Sequence, residues 1–236
     1  MHPQQTPGAP ERPCPHVQTL ESLIAKACGT LDAGLQVFWP AVNHMRNGLS
    51  EAHLTLQLAH AAQSAGWCAY PEVGSQSFEA GHTRIDLMLL KSEESGSSSC
   101  LALVECKKLY SVEKAEEMLQ DLQKMQRLEF RSGFRDRAQW AEAPSYAIWL
   151  AFGFSESWRT WWCAPYLYDN GGAWDWMHHV LTKDVLLFGA YSLQAHHPAS
   201  RAHHHVLYAI FSVSSVEDRP RRKASCSLSA LPRLSS

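Results

Sequence analysis

HTRIDLMLLKSEESGSSSCLALVECKKLY, residues 82–110, is the stretch of sequence that decides the fold. It contains two apolar runs, Ile85–Leu90 and Leu101–Val104, separated by a segment rich in Ser, Gly and Glu. Short apolar runs on either side of a polar segment are typical of two strands joined by a loop, here predicted over 82–90 and 100–107. Because the second run is apolar at successive positions, it predicts a central strand that is covered on both faces.

Charged residues stand inside or directly after both of these apolar runs. Asp86 lies in the first run, and Glu105 and Lys107 follow the second. Side chains alternate along a strand, so Glu105 and Lys107 point to one face about 7 Å apart. Buried charges are costly unless they are paired or bound to a metal. The pattern therefore predicts either a metal site or an Asp86–Lys107 ion pair that only sets the register.

The flanking sequence predicts a regular series of elements around the two strands. A helix is expected from Ser50 to about residue 65, ended by Gly66, and a strand over Trp67–Val73 with an edge or a bend at Pro71. A second helix, capped by Ser111, is expected from Val112 to about residue 128, followed by a strand over Tyr146–Phe152. The buried stripe of that second helix is predicted to be Val112, Ala115, Leu119, Leu122 and Met125.

The two ends of the chain add further predicted elements. Apolar residues at helical spacing over Val17–Met45 predict two helices or one interrupted helix, with breaks near Gly29 and Pro40. Two apolar segments, Val185–Leu193 and His205–Val213, predict strands that extend the sheet.

Asp86 and the Glu105-Cys106-Lys107 triplet, set in this order of elements, resemble the PD-(D/E)xK nuclease superfamily. That family keeps an Asp on one strand and a Glu-x-Lys on the next; here Ile85 stands where the family's Pro would be. The resemblance covers about residues 50–152. It implies an α/β (α+β) fold with a restriction-endonuclease-like αβββαβ core, in which helices flank a mixed central sheet. N-terminal helices and C-terminal strands would extend that core.

The resemblance also implies a catalytic site and its metal. Asp86, Glu105, Lys107 and Glu51 would be catalytic, and Mg²⁺ or Mn²⁺ would be bound by Asp86, Glu105, the backbone carbonyl of Cys106 and Glu51. Lys107 would orient or deprotonate the attacking water and neutralise developing charge. For Glu51 two interpretations remain open: it points inward at the metal, or it only complements the dipole of its helix.

Basic residues near the predicted site are candidates for contact with nucleic acid. Lys108 lies beside the triplet, and Lys124, Arg127 and Arg131 belong to the one locally basic stretch of the globular part. Such residues suit phosphate binding, and they equally suit a solvated helix end.

Two more polar residues are weaker candidates for the site. Glu72 lies close to the site or is a solvated residue at the end of a strand. Some related nucleases carry a Gln on the helix after the Lys, at the position of Gln123. The Tyr that follows it in those relatives is Arg127 here, so a surface Gln is favoured.

The C-terminal part is rich in tryptophan and histidine. Residues 158–179 contain five of the nine tryptophans around a Tyr-Asp-Asn-Gly-Gly turn. They predict a satellite core, or a surface that stacks bases or binds a partner protein or a second copy of the chain. Neither Cys nor acid stands at ligand spacing near His196, His197, His203, His204 and His205, so structural zinc is disfavoured.

Length and composition define the class of protein. The 236 residues suit one domain, 45% apolar content suits a buried core, and a net charge of −2 gives no global basic field. Seven cysteines without a Cys-x-x-Cys pair, and an N-terminus without a signal-peptide pattern, favour a cytoplasmic location. We expect disorder over 1–15, one nuclease-like domain over 16–216 with a Trp-rich extension at 153–216, and a flexible basic tail over 217–236.

Function is predicted from the site. The leading hypothesis is a Mg²⁺-dependent DNA endonuclease that acts in restriction, phage defence, repair or mobile-element processing, with RNA as a further possible substrate. The alternative is a catalytically inactive nuclease fold that binds DNA or docks a partner within a larger complex. Membrane insertion is not expected, because no apolar run approaches about 20 residues.

Overall fold

The computed structural model describes residues 14–42, 49–74, 84–92, 99–127, 143–164, 173–195 and 204–213. Several predictions concern residues outside these ranges: disorder over 1–13, the Tyr-Asp-Asn-Gly-Gly turn, Arg131, three of the five histidines (His196, His197 and His203) and the basic tail. The predicted helix end at Met45 also lies outside them.

The described residues form five helices and six strands. The helices are α1 (Pro15–Val42), α2 (Glu51–Gln63), α3 (Val112–Arg127), α4 (Glu156–Cys163) and α5 (Ala173–Lys183). The strands are β1 (Cys68–Val73), β2 (Ile85–Lys91), β3 (Cys100–Lys108), β4 (Ser145–Gly153), β5 (Val185–Ser192) and β6 (His205–Val213). The predicted strands and helices of the central segment are confirmed within a few residues.

All six strands belong to one mixed sheet in the order β1-β2-β3-β4-β6-β5. β3 and β4 are parallel, and the other neighbours are antiparallel. The mixed α+β class and the extension of the sheet by β5 and β6 are therefore confirmed. β1 is an edge strand, as Pro71 predicted, since proline cannot donate to a neighbouring strand.

Helices cover both faces of the sheet, which gives two hydrophobic cores. One core lies under α1 and α2 and includes Val104 and Ile148; the other lies under α3, α4 and α5 and includes Leu103 and Trp149. β3 and β4 contribute alternate residues to both cores, which is why β3 is apolar at successive positions. Glu105 and Lys107 share the face of Leu103, so they point towards α3.

α1 runs without interruption through Gly29, so the predicted break near that residue is wrong. Apolar residues on both sides of Gly29, such as Ile24 and Leu31, are buried in the same core and hold the helix together across the glycine. Pro40 lies in the last turn, where the helix ends two residues later at Val42.

α3 differs from its prediction in one part of its buried stripe. Ser111 caps the helix, since its Oγ accepts a hydrogen bond from the backbone N–H of Lys114. Val112 was predicted to be buried but is 37% exposed, whereas Met118 is buried. The buried stripe therefore begins one turn later, at Ala115.

The described parts of the Trp-rich segment lie in the helices α4 and α5. Trp161 and Trp162 are buried in the core under α3, and Trp158 and Trp174 pack against them. These tryptophans are thus continuous with a main core, and the separate satellite core is not found in the described residues. Trp176 stays 53% exposed.

No helix of the described segments combines the length and the apolar character that a membrane span requires.

Candidate active site

The candidate site lies where β2 separates from β3. The paired register of the two strands runs from Lys91 and Cys100 to Leu87 and Val104. The next residue of β2 is Asp86, and its Oδ2 accepts a hydrogen bond from the backbone N–H of Cys106 at 2.9 Å. The Asp86 side chain therefore takes the place of a backbone partner for β3 where the ladder ends.

A second carboxylate fills the next position along the same edge of β3. Leu101 and Leu109 donate their backbone N–H groups to carbonyls in or next to β4. Because successive amides of a strand alternate in direction, the N–H groups of Cys106 and Lys108 point to the opposite, β2 side. The N–H of Lys108 donates to Oε1 of Glu51 at 2.7 Å. Glu51 thus points inward towards the end of β3, and its role as a metal ligand stays a prediction.

Lys107 connects β3 to α3 through two carboxylates. Its Nζ lies 3.6 Å from Oε2 of Glu105 and 3.1 Å from Oδ2 of Asp121. These are the ion pairs of Lys107 in the described residues, and Asp86 is not among them. The predicted alternative, a structural Asp86–Lys107 salt bridge, is therefore not the arrangement found.

The carboxyl group of Glu105 is buried close to other carboxylates. Its side chain is only 5% exposed. Burial, followed by the repulsion of the Asp86 and Asp121 carboxylates, raises the pKa of Glu105 to about 8, although Lys107 opposes the change. A hydrogen bond between the carboxyl groups of Asp86 and Glu105 contributes in the same direction. The two carboxyls predicted to share a metal are therefore adjacent.

Lys107 is held as an ammonium ion. Burial alone would lower the pKa of Lys107, but the Asp121 and Glu105 carboxylates outweigh it and raise the pKa above its usual range. Of the two predicted roles, this environment favours orienting water and neutralising charge over removing a proton from water.

Asp121 is a residue of the site that the sequence analysis missed. It lies on α3 and is buried with only 6% exposure. It stands three residues after Met118 and four before Met125, both of which are buried. Asp121 therefore occupies a position in the apolar stripe of α3. An acidic residue in such a stripe is unusual, and this spacing in the sequence could have identified Asp121 as a candidate.

The basic residues predicted to contact nucleic acid differ in their exposure and in their ion pairs. Lys124 is paired with Asp121, at 2.7 Å between Nζ and Oδ1, and its side chain remains 53% exposed. The side chain of Lys108 is half-buried beside the site. The backbone of Arg127 ends α3, and its side chain lies outside the described residues, like the whole of Arg131.

The two weaker candidates, Glu72 and Gln123, are both exposed. Glu72 is on the edge strand β1, is mostly exposed and forms an ion pair with Arg84. The solvated interpretation of Glu72 is therefore the correct one. Gln123 is exposed on α3, as favoured.

The available donors are two adjacent carboxylates and backbone oxygen. Within the described residues, no three His, Cys, Asp or Glu side chains are grouped so that they could hold a metal ion. The predicted ligand set contains three such side chains, Asp86, Glu105 and Glu51, and the structure does not group all three around one position. The donors that remain together are Asp86, Glu105 and the backbone carbonyl of Cys106. The N–H and C=O groups of one strand residue point to the same side. The carbonyl of Cys106 therefore points to the β2 side of β3, beyond the last paired residues of the two strands. Burial, with the Glu51 and Asp86 carboxylates, raises the pKa of the Cys106 thiol, which remains neutral.

Comparisons of the chain with protein-family models, with curated proteins and with solved structures gave no match.

Proposed function

We propose that the chain is a metal-dependent phosphodiesterase that hydrolyses DNA as an endonuclease. The observation that carries this proposal is the convergence of Asp86, Glu105 and Lys107 towards the end of β3, beyond the last residues of β3 that pair with β2. The three come from two neighbouring strands, as in the PD-(D/E)xK pattern that the sequence resembles.

The order of elements supports the same proposal. α2, β1, β2, β3, α3 and β4 follow one another as helix, strand, strand, strand, helix, strand. This is the order of a restriction-endonuclease-like core, with β3 and β4 parallel. α1 on one side and β5 and β6 on the other would be additions to that core.

The donor set fits a hard divalent cation. Carboxylate and carbonyl oxygens are the ligands that Mg²⁺ and Mn²⁺ prefer. Asp86 and Glu51 each use one carboxylate oxygen for a backbone amide, which fixes the orientation of both groups. Burial first, and then the Asp86 and Asp121 carboxylates, raise the pKa of Glu105, and a bound cation would favour its ionised form.

The bound ion would supply Lewis-acid polarisation of the phosphate and a more acidic water. Asp86, Glu105 and the Cys106 carbonyl would hold it, whereas Glu51, the further predicted ligand, accepts the N–H of Lys108. In hydrolysis the water oxygen forms a bond to phosphorus, the bridging P–O ester bond breaks, and the departing oxygen gains a proton. Lys107, as an ammonium ion, orients the water and stabilises the charge that develops on the phosphate oxygens.

Cleavage of supercoiled plasmid tests the proposal. Wild type and three variants, Asp86→Asn, Glu105→Gln and Lys107→Ala, are incubated with Mg²⁺, Mn²⁺ or EDTA. Asn and Gln preserve shape, and Asn retains an oxygen for the Cys106 amide. We expect nicking or linearisation by wild type with metal only, and a loss of rate of at least about 100-fold in each variant.

Control variants remove the same charges elsewhere. Glu117→Gln removes an exposed carboxylate that pairs with Lys114 on α3, and Lys26→Ala removes an exposed ammonium on α1. Both should cut like wild type. Cutting that survives all three site variants would contradict the site assignment. Absence of cutting by wild type, with retained DNA binding in a gel-shift assay, would favour the non-cleaving alternative.

A further inference from the structure

We propose that Asp121 is a positioning residue, which holds the Lys107 ammonium at the end of β3 and so sets its direction in the site. This inference rests on the proposed function for its catalytic consequence, whereas the contact itself can be tested without cleavage. Of the predicted site residues near β3, Asp121 forms an ion pair with Lys107, so we place its effect on that lysine.

The geometry singles out Asp121 as the nearer partner of Lys107. Nζ of Lys107 lies 3.1 Å from Oδ2 of Asp121 and 3.6 Å from Oε2 of Glu105. A separation of 3.1 Å permits a hydrogen bond, whereas 3.6 Å is too long for one. The direction of the ammonium group is therefore fixed by α3, although the lysine belongs to β3.

The burial of Asp121 argues against an incidental surface pair. Its side chain is 9% exposed and that of Lys107 is 20% exposed. Exposed ion pairs are worth little, but a buried carboxylate needs its partners, since it has lost its water. Asp121 also occupies a position in the apolar stripe of α3, where a Leu or Met would pack without such needs.

Lys124 completes the arrangement on the outer side. Its Nζ donates to Oδ1 of Asp121 at 2.7 Å, so the two oxygens of Asp121 bind different lysines. Lys124 is three residues further along the same helix and is half exposed. It thereby fixes the rotation of the Asp121 carboxylate and leaves Oδ2 directed at Lys107.

Four proteins test the proposal: wild type, Asp121→Asn, Asp121→Glu and Glu117→Gln. Asn keeps the volume and removes the charge, whereas Glu keeps the charge on a longer stem. Glu117→Gln is the matched control, because Glu117 is also an α3 acid that pairs with a lysine three residues away. Circular dichroism and thermal melting establish that each variant is folded.

The first readout needs neither metal nor substrate. The proteins are treated in EDTA with an amine-acetylating reagent, and mass spectrometry follows the modification of Lys107. The Lys107 side chain is only 20% exposed while Asp121 holds it, and loss of that contact frees the side chain to reach solvent. We therefore expect labelling to be at least about threefold faster in Asp121→Asn. Glu117→Gln should label Lys107 at the wild-type rate. Equal rates in Asp121→Asn and wild type would overturn the proposal.

The second readout is plasmid cleavage with Mg²⁺. For Asp121→Asn we expect kcat to fall by about 10- to 100-fold with KM changed by less than about threefold, since a misplaced group weakens the transition state more than binding. Asp121→Glu should recover part of the lost kcat. A folded Asp121→Asn variant with unchanged kcat, or an Asp121→Glu variant no better than it, would contradict the positioning role.

The two readouts separate this inference from the proposed function. If wild type does not cleave, the nuclease assignment fails, and the labelling rates still decide whether Asp121 holds Lys107. If wild type cleaves and the labelling rates are equal, the nuclease assignment stands and the positioning role is rejected. Should Asp121→Asn not fold, Asp121→Glu carries both readouts, because it displaces the carboxylate: wild-type labelling together with wild-type kcat in this variant would reject the role.

Discussion

Asp86 and Cys106 are joined by a hydrogen bond of 2.9 Å, from the backbone N–H of Cys106 to Oδ2 of Asp86. The bond forms just past the last paired residues of β2 and β3, Leu87 and Val104. The Asp86 side chain, which is predicted to be catalytic, therefore also bonds the backbone of β3 beyond the last backbone pair of β2 and β3. This double role makes the stability of the protein depend on the same residues as the proposed chemistry.

Removal of the Asp86 carboxylate should weaken the fold as well as the site. Asp86→Ala leaves the buried amide of Cys106 without its acceptor, so we expect the free energy of unfolding to fall by about 1–3 kcal/mol. Asp86→Asn, which retains an acceptor oxygen, should lose less. Urea unfolding in EDTA measures both, with the exposed Glu72→Ala as a control expected within about 0.5 kcal/mol of wild type. An Asp86→Ala protein as stable as the control would show that the bond is not maintained in solution.

Glu51 should protect one particular amide. In Glu51→Ala the backbone N–H of Lys108 loses its acceptor, and we expect its hydrogen exchange to become about tenfold faster or more. The amide of Leu109, bonded to the carbonyl of Phe152, should exchange as in wild type. NMR-detected exchange resolves the two neighbours. Acceleration of both to the same extent would indicate a general loosening instead.

The raised pKa of Glu105 predicts how stability changes with pH in the absence of metal. Burial and the Asp86 and Asp121 carboxylates raise the pKa of Glu105 from 4.5 to about 8 in the folded protein. Between these values the folded chain keeps a proton that the unfolded chain has lost, so stability falls as pH rises. Glu105→Gln removes this dependence.

Urea unfolding in EDTA at pH 5 and pH 8 measures the effect. Relative to wild type, Glu105→Gln should gain stability between the two pH values by a few kcal/mol at most. The Glu117→Gln control should show no such gain. A difference between wild type and Glu105→Gln that does not change with pH would mean that Glu105 is not buried among carboxylates.

Two glycine substitutions test the packing of the additions to the core. A Cβ at Gly189 would lie 2.5 Å from the hydroxyl of Tyr208, which donates a hydrogen bond to Glu21. Gly189→Ala should therefore reduce the free energy of unfolding by about 1–3 kcal/mol. At Gly34, on the exposed side of α1, nothing lies within 4 Å, so Gly34→Ala should add about 0.5–1 kcal/mol. Thermal melting distinguishes the two, and shifts of the same sign would contradict this packing.

Much of the fold could be predicted from local patterns, because a strand that is buried on both faces has apolar residues at successive positions. The continuous apolar run at Leu101–Val104 predicted a central strand, and β3 lies between β2 and β4. Pro71 predicted an edge strand for the same kind of reason, since it lacks a donor. Gly29 predicted a break that does not occur, because packing on both sides of it outweighs its local preference.

The site was predictable as far as it follows strand alternation. Glu105 and Lys107 had to share a face, and they do. The sequence did not predict which helix residue would meet Lys107, because that depends on how α3 crosses the sheet. Nor did it predict that Asp86 and Glu51 bind the backbone of β3, because the separation of β2 from β3 is a tertiary feature.

Binding of Mn²⁺ by the purified protein tests the central claim most directly. Titration followed by the electron paramagnetic resonance of free Mn²⁺ compares wild type with Asp86→Asn, Glu105→Gln and Glu117→Gln. The account predicts that wild type and Glu117→Gln bind the ion alike, and that Asp86→Asn and Glu105→Gln bind it at least about tenfold more weakly. Equal affinity in all four proteins would contradict a metal site built on Asp86 and Glu105.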